Sequence, residues 1–248
     1  MKFLSLLVII AALAACQGAE VAESLDAQQR SVSSIIVDTL EALKVKMEDG
    51  WPEYGIPSLA PLEISHKDLN YATGEVFAKG EFDDIVVRGL NEFEIKSMEY
   101  SLLFSRIRYE FVFASLNVST QYKADVGAGY HLARDGGAFL ALENLRITGQ
   151  VRYSTGIVGS NNNFRIRDLQ VNISVDNVVS NIENLSKYRI MNRKLNQIVE
   201  EFIDLTINEN TELIADWIDS TVTPICNELI GDRSLSDLLG LITGGGSN

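Results

Sequence analysis

Between about Tyr71 and Val175 apolar and polar residues alternate with a period of two, and on each side of that stretch the apolar positions recur every three or four residues. The pattern predicts a helix, a set of long strands and a second helical region. On the amino-terminal side Val32, Ile36, Leu40, Leu43 and Met47 are interleaved with Asp38, Glu41, Lys44 and Lys46, which predicts an amphipathic helix over residues 22–48. Asp49-Gly50 and Pro52 stop it. Pro52, Pro57 and Pro61 mark an extended connector leading onto a sheet.

Strands are predicted at residues 63–66, 75–82 and 85–87, around Phe93 and Ile95, around Tyr109, Phe111 and Phe113, and near residues 139–153 and 164–175. Turns are expected at Asn70, Asp83-Asp84, Gly89, Asp135-Gly136-Gly137 and residues 159–163. Strict alternation implies one dry and one wet face, as in an antiparallel sheet covered on one side. From about Val178 to Leu229 the helical period returns. Ile190, Leu195, Ile198, Phe202 and Leu205 form one stripe, continued by Leu213, Trp217, Val222, Ile225 and Leu229, with a break near Asn208 or Pro224. The expected fold class is α+β, with residues 20–239 as a single domain and 240–248 as a flexible tail.

The first residues change the compartment. Lys2, the apolar run 3–15 and the small residues of 14–19 predict a signal peptide over residues 1–19, and hence a secreted, extracellular protein. Leu13-Ala14-Ala15-Cys16 also fits a lipobox, in which Cys16 would be lipidated. Cleavage after Ala19 leaves Cys226 alone, a small hydrophobe on the last helical stripe, so the core must hold the fold without a disulfide. The net charge of −13 argues against nucleic acid as a partner. No stretch after the leader is long and apolar enough for stable membrane insertion. Asn117, Asn172 and Asn184 head glycosylation sequons.

Catalytic signatures are missing. His66 and His131 have no partner at metal-ligand spacing, and neither His-Glu-x-x-His, Gly-x-Ser-x-Gly nor a phosphate loop occurs. His66-Lys67-Asp68 reads as a solvated turn. No enzyme activity, metal or cofactor is expected.

Several short segments carry a resemblance through their order and spacing. They are Gly55-Ile56-Pro57 with Leu59, Pro61 and Leu62; the run from Gly89-Leu90 and Phe93 through Tyr122; Asp135-Gly136-Gly137-Ala138-Phe139 with residues 142–145; and Ile207-Asn208-Glu209-Asn210 with Pro224-Ile225 downstream. Together they resemble the insect hemolymph juvenile-hormone-binding and takeout-like proteins. More closely, they resemble the arthropod group 7 allergen-like proteins of that superfamily. The mature chain lacks the amino-terminal cysteine pair of the first two branches, which favours the group 7 branch and counts against juvenile hormone as the ligand. The resemblance implies a tubular lipid-binding fold, similar to one half of bactericidal/permeability-increasing protein. In it a strongly curved antiparallel sheet is wrapped around a long C-terminal helix and joined by an N-terminal amphipathic helix.

The expected function is a secreted carrier that binds a lipid or other small hydrophobic ligand in an internal apolar cavity. The candidate lining is Tyr109, Phe111 and Phe113 on a strand with Phe202 and Leu205 on the last helix; a buried Tyr109 hydroxyl would need a partner. The alternative is an interaction protein with a possible innate immune role. It would present an exposed apolar surface to bacterial lipid or a protein partner, with Leu235, Leu238, Leu239, Leu241 and Ile242 as its apolar stretch.

Overall fold

The computed structural model describes residues 25–50, 57–73, 76–128, 131–154 and 164–231. The leader, Cys16, Pro52, Gly55-Ile56, the turn at 159–163, the stretch from Leu235 to Ile242 and the tail lie outside the described residues, as does the side chain of Cys226.

Helix α1, Leu25–Asp49, follows its sequence stripe: Val32, Ile36, Leu40, Leu43 and Met47 are all buried. Gly50 ends it in the left-handed region (φ 72°), and its N–H returns to the Lys46 carbonyl at 3.0 Å. Among the described residues seven antiparallel strands follow: β1 Leu62–Thr73, β2 Val76–Arg88, β3 Phe93–Ser101, β4 Arg106–Ala128, β5 His131–Ser154, β6 Arg165–Ser174 and β7 Asn177–Ile182. Two helices close the described chain, α2 Arg189–Glu209 and α3 Thr211–Ile230. The architecture is α+β, as expected.

The long pair β4–β5 is the spine of the sheet. On one side β3 pairs with the first part of β4 and β2 with the rest. On the other, β6 pairs with the end of β5 and β7 with residues 138–143. Along β4 the buried positions switch parity. Ile107, Tyr109, Phe111 and Phe113 are buried at odd numbers, whereas Leu116 and Tyr122 turn inward at even ones. The switch falls opposite Asn144, whose φ of 51° breaks the regular pleat.

Several local expectations change. Asn70 and the 66–68 segment lie inside β1, and Asp83-Asp84 lies inside β2, where a bulge with Asp84 at φ 52° replaces the expected turn. Asp135-Gly136-Gly137 runs inside β5, paired with Lys123, Tyr122 and Gln121. A Cβ on Gly137 would sit 3.3 Å from the Glu183 carboxylate, so these glycines make room for a crossing segment, which the Tyr122 hydroxyl secures by donating to the Glu183 carbonyl. Val178, expected to open the helical region, belongs to β7. The helix breaks at Asn210, at the first of the two places expected, and α3 continues through Pro224.

Asparagines on α2 and α3 complete the free edge of the sheet. Asn227 accepts from the Ile166 N–H at 2.9 Å and donates to the Ile166 carbonyl at 2.8 Å. Asn208 does the same at Val175, with both bonds at 3.0 Å. Asn196 does so at Ile182, at 2.7 and 3.0 Å. Between them the Leu169 N–H donates to Asp219 and the Ser180 N–H to Glu200. The helix contacts advance from 196 to 227 as the strand contacts retreat from 182 to 166. The two C-terminal helices therefore run antiparallel along the outer edge of β7 and β6 and act as its missing strand.

Candidate ligand-binding site

The three strand aromatics point into a filled core. Phe93 meets Phe111 edge-on at 5.3 Å between ring centroids, Phe113 lies 5.5 Å from Phe93, and Tyr109 stacks on Phe111 at 5.2 Å. The Lys44 ammonium of α1 sits over Phe93, 4.6 Å from its centroid. The Tyr109 ring lies against Gly149, its cross-strand partner, where a Cβ would come within 2.7 Å of the hydroxyl. Only 4% of Tyr109 is exposed and its hydroxyl has no hydrogen-bond partner among the described residues; burial pushes its pKa up from the ordinary tyrosine value.

Phe202 and Leu205 lie elsewhere. Both project from α2 into solvent, 68% and 48% exposed, and do not join the strand aromatics. At 100° per residue, Asn196, Ile203 and Ile207 define the side of α2 turned to the sheet, with Ile203 and Ile207 packed on the core. Leu195, Phe202, Met191, Ile198 and Leu205 fan out from one flank of that side, while Arg193, Gln197, Glu201 and Asp204 occupy the other. The apolar residues of α2 thus extend well beyond the side it turns to the sheet. Sequence periodicity located this stripe but not its orientation. The repeated amides Asn192 and Asn196, followed by Glu200 at the same spacing, were the available signal that a polar row faces the sheet edge.

Ile64, Leu69, Val126 and Leu132 are exposed on the sheet as well. Leu69 faces Gly80, and Val126 faces Leu132 across the ladder, at the end of the sheet remote from α1. An open groove of about 270 Å³ lies elsewhere on the sheet, lined by Asp84, Thr120, Gln121, Phe139, Asn181 and Glu183 among others.

Among the sequons, Asn172 is exposed on β6, Asn117 accepts from the Ser115 hydroxyl at 3.1 Å, and Asn184 donates to the Asp135 carbonyl at 2.9 Å. Among the described residues no group of three or more His, Cys, Asp or Glu is placed to hold a metal ion, and no helix is long and apolar enough to cross a membrane.

His66 bridges two carboxylates, with Nδ1 2.6 Å from Asp83 and Nε2 3.1 Å from Asp68. The hydrogen bond to Asp83 is the main reason its pKa is raised, and the same bond lowers that of Asp83, which also faces Lys123 at 3.8 Å. A raised histidine pKa stabilises the fold most below its unfolded value of about 6.5, and that contribution fades as pH climbs through the folded value. His66→Gln is therefore expected to flatten the fall in melting temperature above that pH. An NMR titration of His66 with a midpoint at or below 6.5 contradicts the pairing.

The candidate site is an apolar surface organised by a sheet and its helices. Its sequence matches the model of the haemolymph juvenile hormone binding protein (JHBP) family over residues 5–240, and the chain belongs to that family. Among solved structures, Takeout 1 of Epiphyas postvittana shares its fold with a TM-score of 0.52 at 15% identity, covering 73% of this chain and 84% of that one. Lipopolysaccharide binding protein aligns more loosely, with a TM-score of 0.36 and 11% identity over 76% of this chain and 38% of that one. No curated protein matches the sequence.

Proposed function

We propose that this protein is a secreted carrier of a lipid or another small hydrophobic molecule, and that the apolar arc of α2 is the ligand-facing surface. One observation carries this reading: Phe202 and Leu205, on the same helix as the core-packed Ile203 and Ile207, form with Met191 and Ile198 an apolar face open to solvent. An acyl chain lying there extends the existing core, and each buried CH₂ contributes about 0.8 kcal/mol. A carrier of this kind encloses its ligand between α2 and the sheet. Lining by Tyr109, Phe111 and Phe113 as well would require the packed core they share with Phe93 to open around the ligand. The family's name supplies juvenile hormone as one apolar candidate; the missing cysteine pair aligns the chain instead with the group 7 allergen-like branch. Asn172 is the sequon best placed for a glycan.

The exposure of the same arc also supports a second reading, in which it binds bacterial lipid or a protein partner directly and stays open. Titration with a fluorescent acyl probe tests the surface. Phe202→Asp with Leu205→Asp is expected to weaken probe binding at least tenfold, a loss of about 1.4 kcal/mol or more. Unchanged affinity in a folded variant would remove α2 from the site. Protection of the bound probe from an aqueous quencher separates the closed carrier from the open surface.

A further inference from the structure

We propose that the turn between β3 and β4 is a membrane-docking tip, in which Leu102, Leu103 and Phe104 enter the headgroup boundary of an anionic bilayer while neighbouring arginines meet its headgroups. The three residues are consecutive and 49%, 76% and 62% exposed. Polar and glycine residues ordinarily fill such a turn, so three large apolar side chains here call for a partner.

The turn is firmly built. The Ser105 N–H donates to the Leu102 carbonyl at 3.1 Å, and the Phe104 N–H donates to the Ser101 hydroxyl at 3.4 Å. The Ser105 carbonyl accepts from the Tyr153 N–H at 3.0 Å, which ties the tip to β5. Ser105 itself is held at φ 47°, an uncommon conformation for serine.

Charge at this end of the sheet selects the partner. Register places Arg106 opposite Arg152, Arg108 two pairs further in, and Arg165 opposite Ser154. The Arg106 guanidinium lies 4.7 Å over the Phe104 ring, so it follows the tip wherever the ring goes. Glu99 and Asp168 approach Arg108 and Arg152 at 3.8 Å, and Arg165 is engaged with carbonyls at the end of α3. The tip therefore carries local positive charge on a chain of net charge −13. Away from it, that net charge repels an anionic surface and orients the approach.

A three-residue convex tip falls far short of the roughly 800 Å² per partner that a stable protein interface buries. A bilayer boundary asks only that a few apolar groups enter about 5–10 Å while cations remain at the headgroups. Docking is peripheral and reversible, and it stands apart from the α2 surface assigned to the ligand.

Flotation of the full mature chain with ligand-free vesicles of phosphatidylcholine and phosphatidylserine in equal parts tests the proposal. The wild-type chain is expected to float with them, and less at raised salt. Leu103→Asp with Phe104→Asp lowers the partition at least tenfold while thermal melting and acyl-probe affinity stay unchanged. Arg106→Glu removes the preference over pure phosphatidylcholine. Phe104→Trp, which keeps the tip apolar, still floats, and its emission shifts to the blue on vesicle addition. A wild-type chain left behind by these vesicles, an aspartate variant that floats like wild type, or an unshifted tryptophan overturns it.

Discussion

Asn227→Ala is expected to lower the unfolding free energy by about 2–4 kcal/mol, far more than a polar-to-alanine change on an exposed helix face. Alanine has the higher helix propensity, so local helix energetics favour the variant. The loss comes from β6: the N–H and carbonyl of Ile166, a residue buried in the core, both lose their partner at once. Asn208→Ala bares Val175 in the same way, but Asn208 is exposed and water replaces part of what it supplied. Its cost is smaller, and the two losses should add because the sites share no partner. Urea denaturation with Glu201→Ala as an exposed control measures this. An Asn227→Ala loss no larger than the control's would show that the asparagine does not complete the sheet edge.

Gly149→Ala is expected to cost about 3 kcal/mol by forcing a methyl group into a filled core. The added carbon would stand 2.1 Å from the Gln170 carbonyl oxygen and 2.7 Å from the Tyr109 hydroxyl. The first contact is backbone, so β5 and β6 must part where they pair. Tyr109→Phe removes only the second contact and should not rescue the variant. A melting temperature equal to wild type would mean that β6 yields freely at this point.

The elements that were legible in the sequence bury a single apolar stripe against a single neighbour. Helix α1 is the plainest case, because its stripe at spacings of three and four is also its buried face. The strand aromatics followed from alternation for the same reason. Helix α2 reverses the logic. Its sheet-facing side is partly amide, since a strand edge offers N–H and carbonyl groups to be matched, and this leaves Phe202 and Leu205 outside. Hydrophobic periodicity cannot express that preference. Val178, Val179 and Ile182 satisfy either period, and only the pairing with β5 distinguishes β7 from a helix. The His66 cluster stayed hidden because Asp83 lies 17 positions away and meets it only through the register of β1 and β2.

The order of the chain gives the edge-matching helices a role during synthesis. Strands β6 and β7 leave the ribosome before α2 and α3 do, so the sheet can assemble while its outer edge still lacks its cover. Until the last helices arrive, Ile166, Val175 and Ile182 present the free backbone groups to which a second nascent chain could add a strand. The C-terminal asparagines thus end a window of vulnerability in the newborn protein, and the speed with which they dock decides how much of it escapes aggregation.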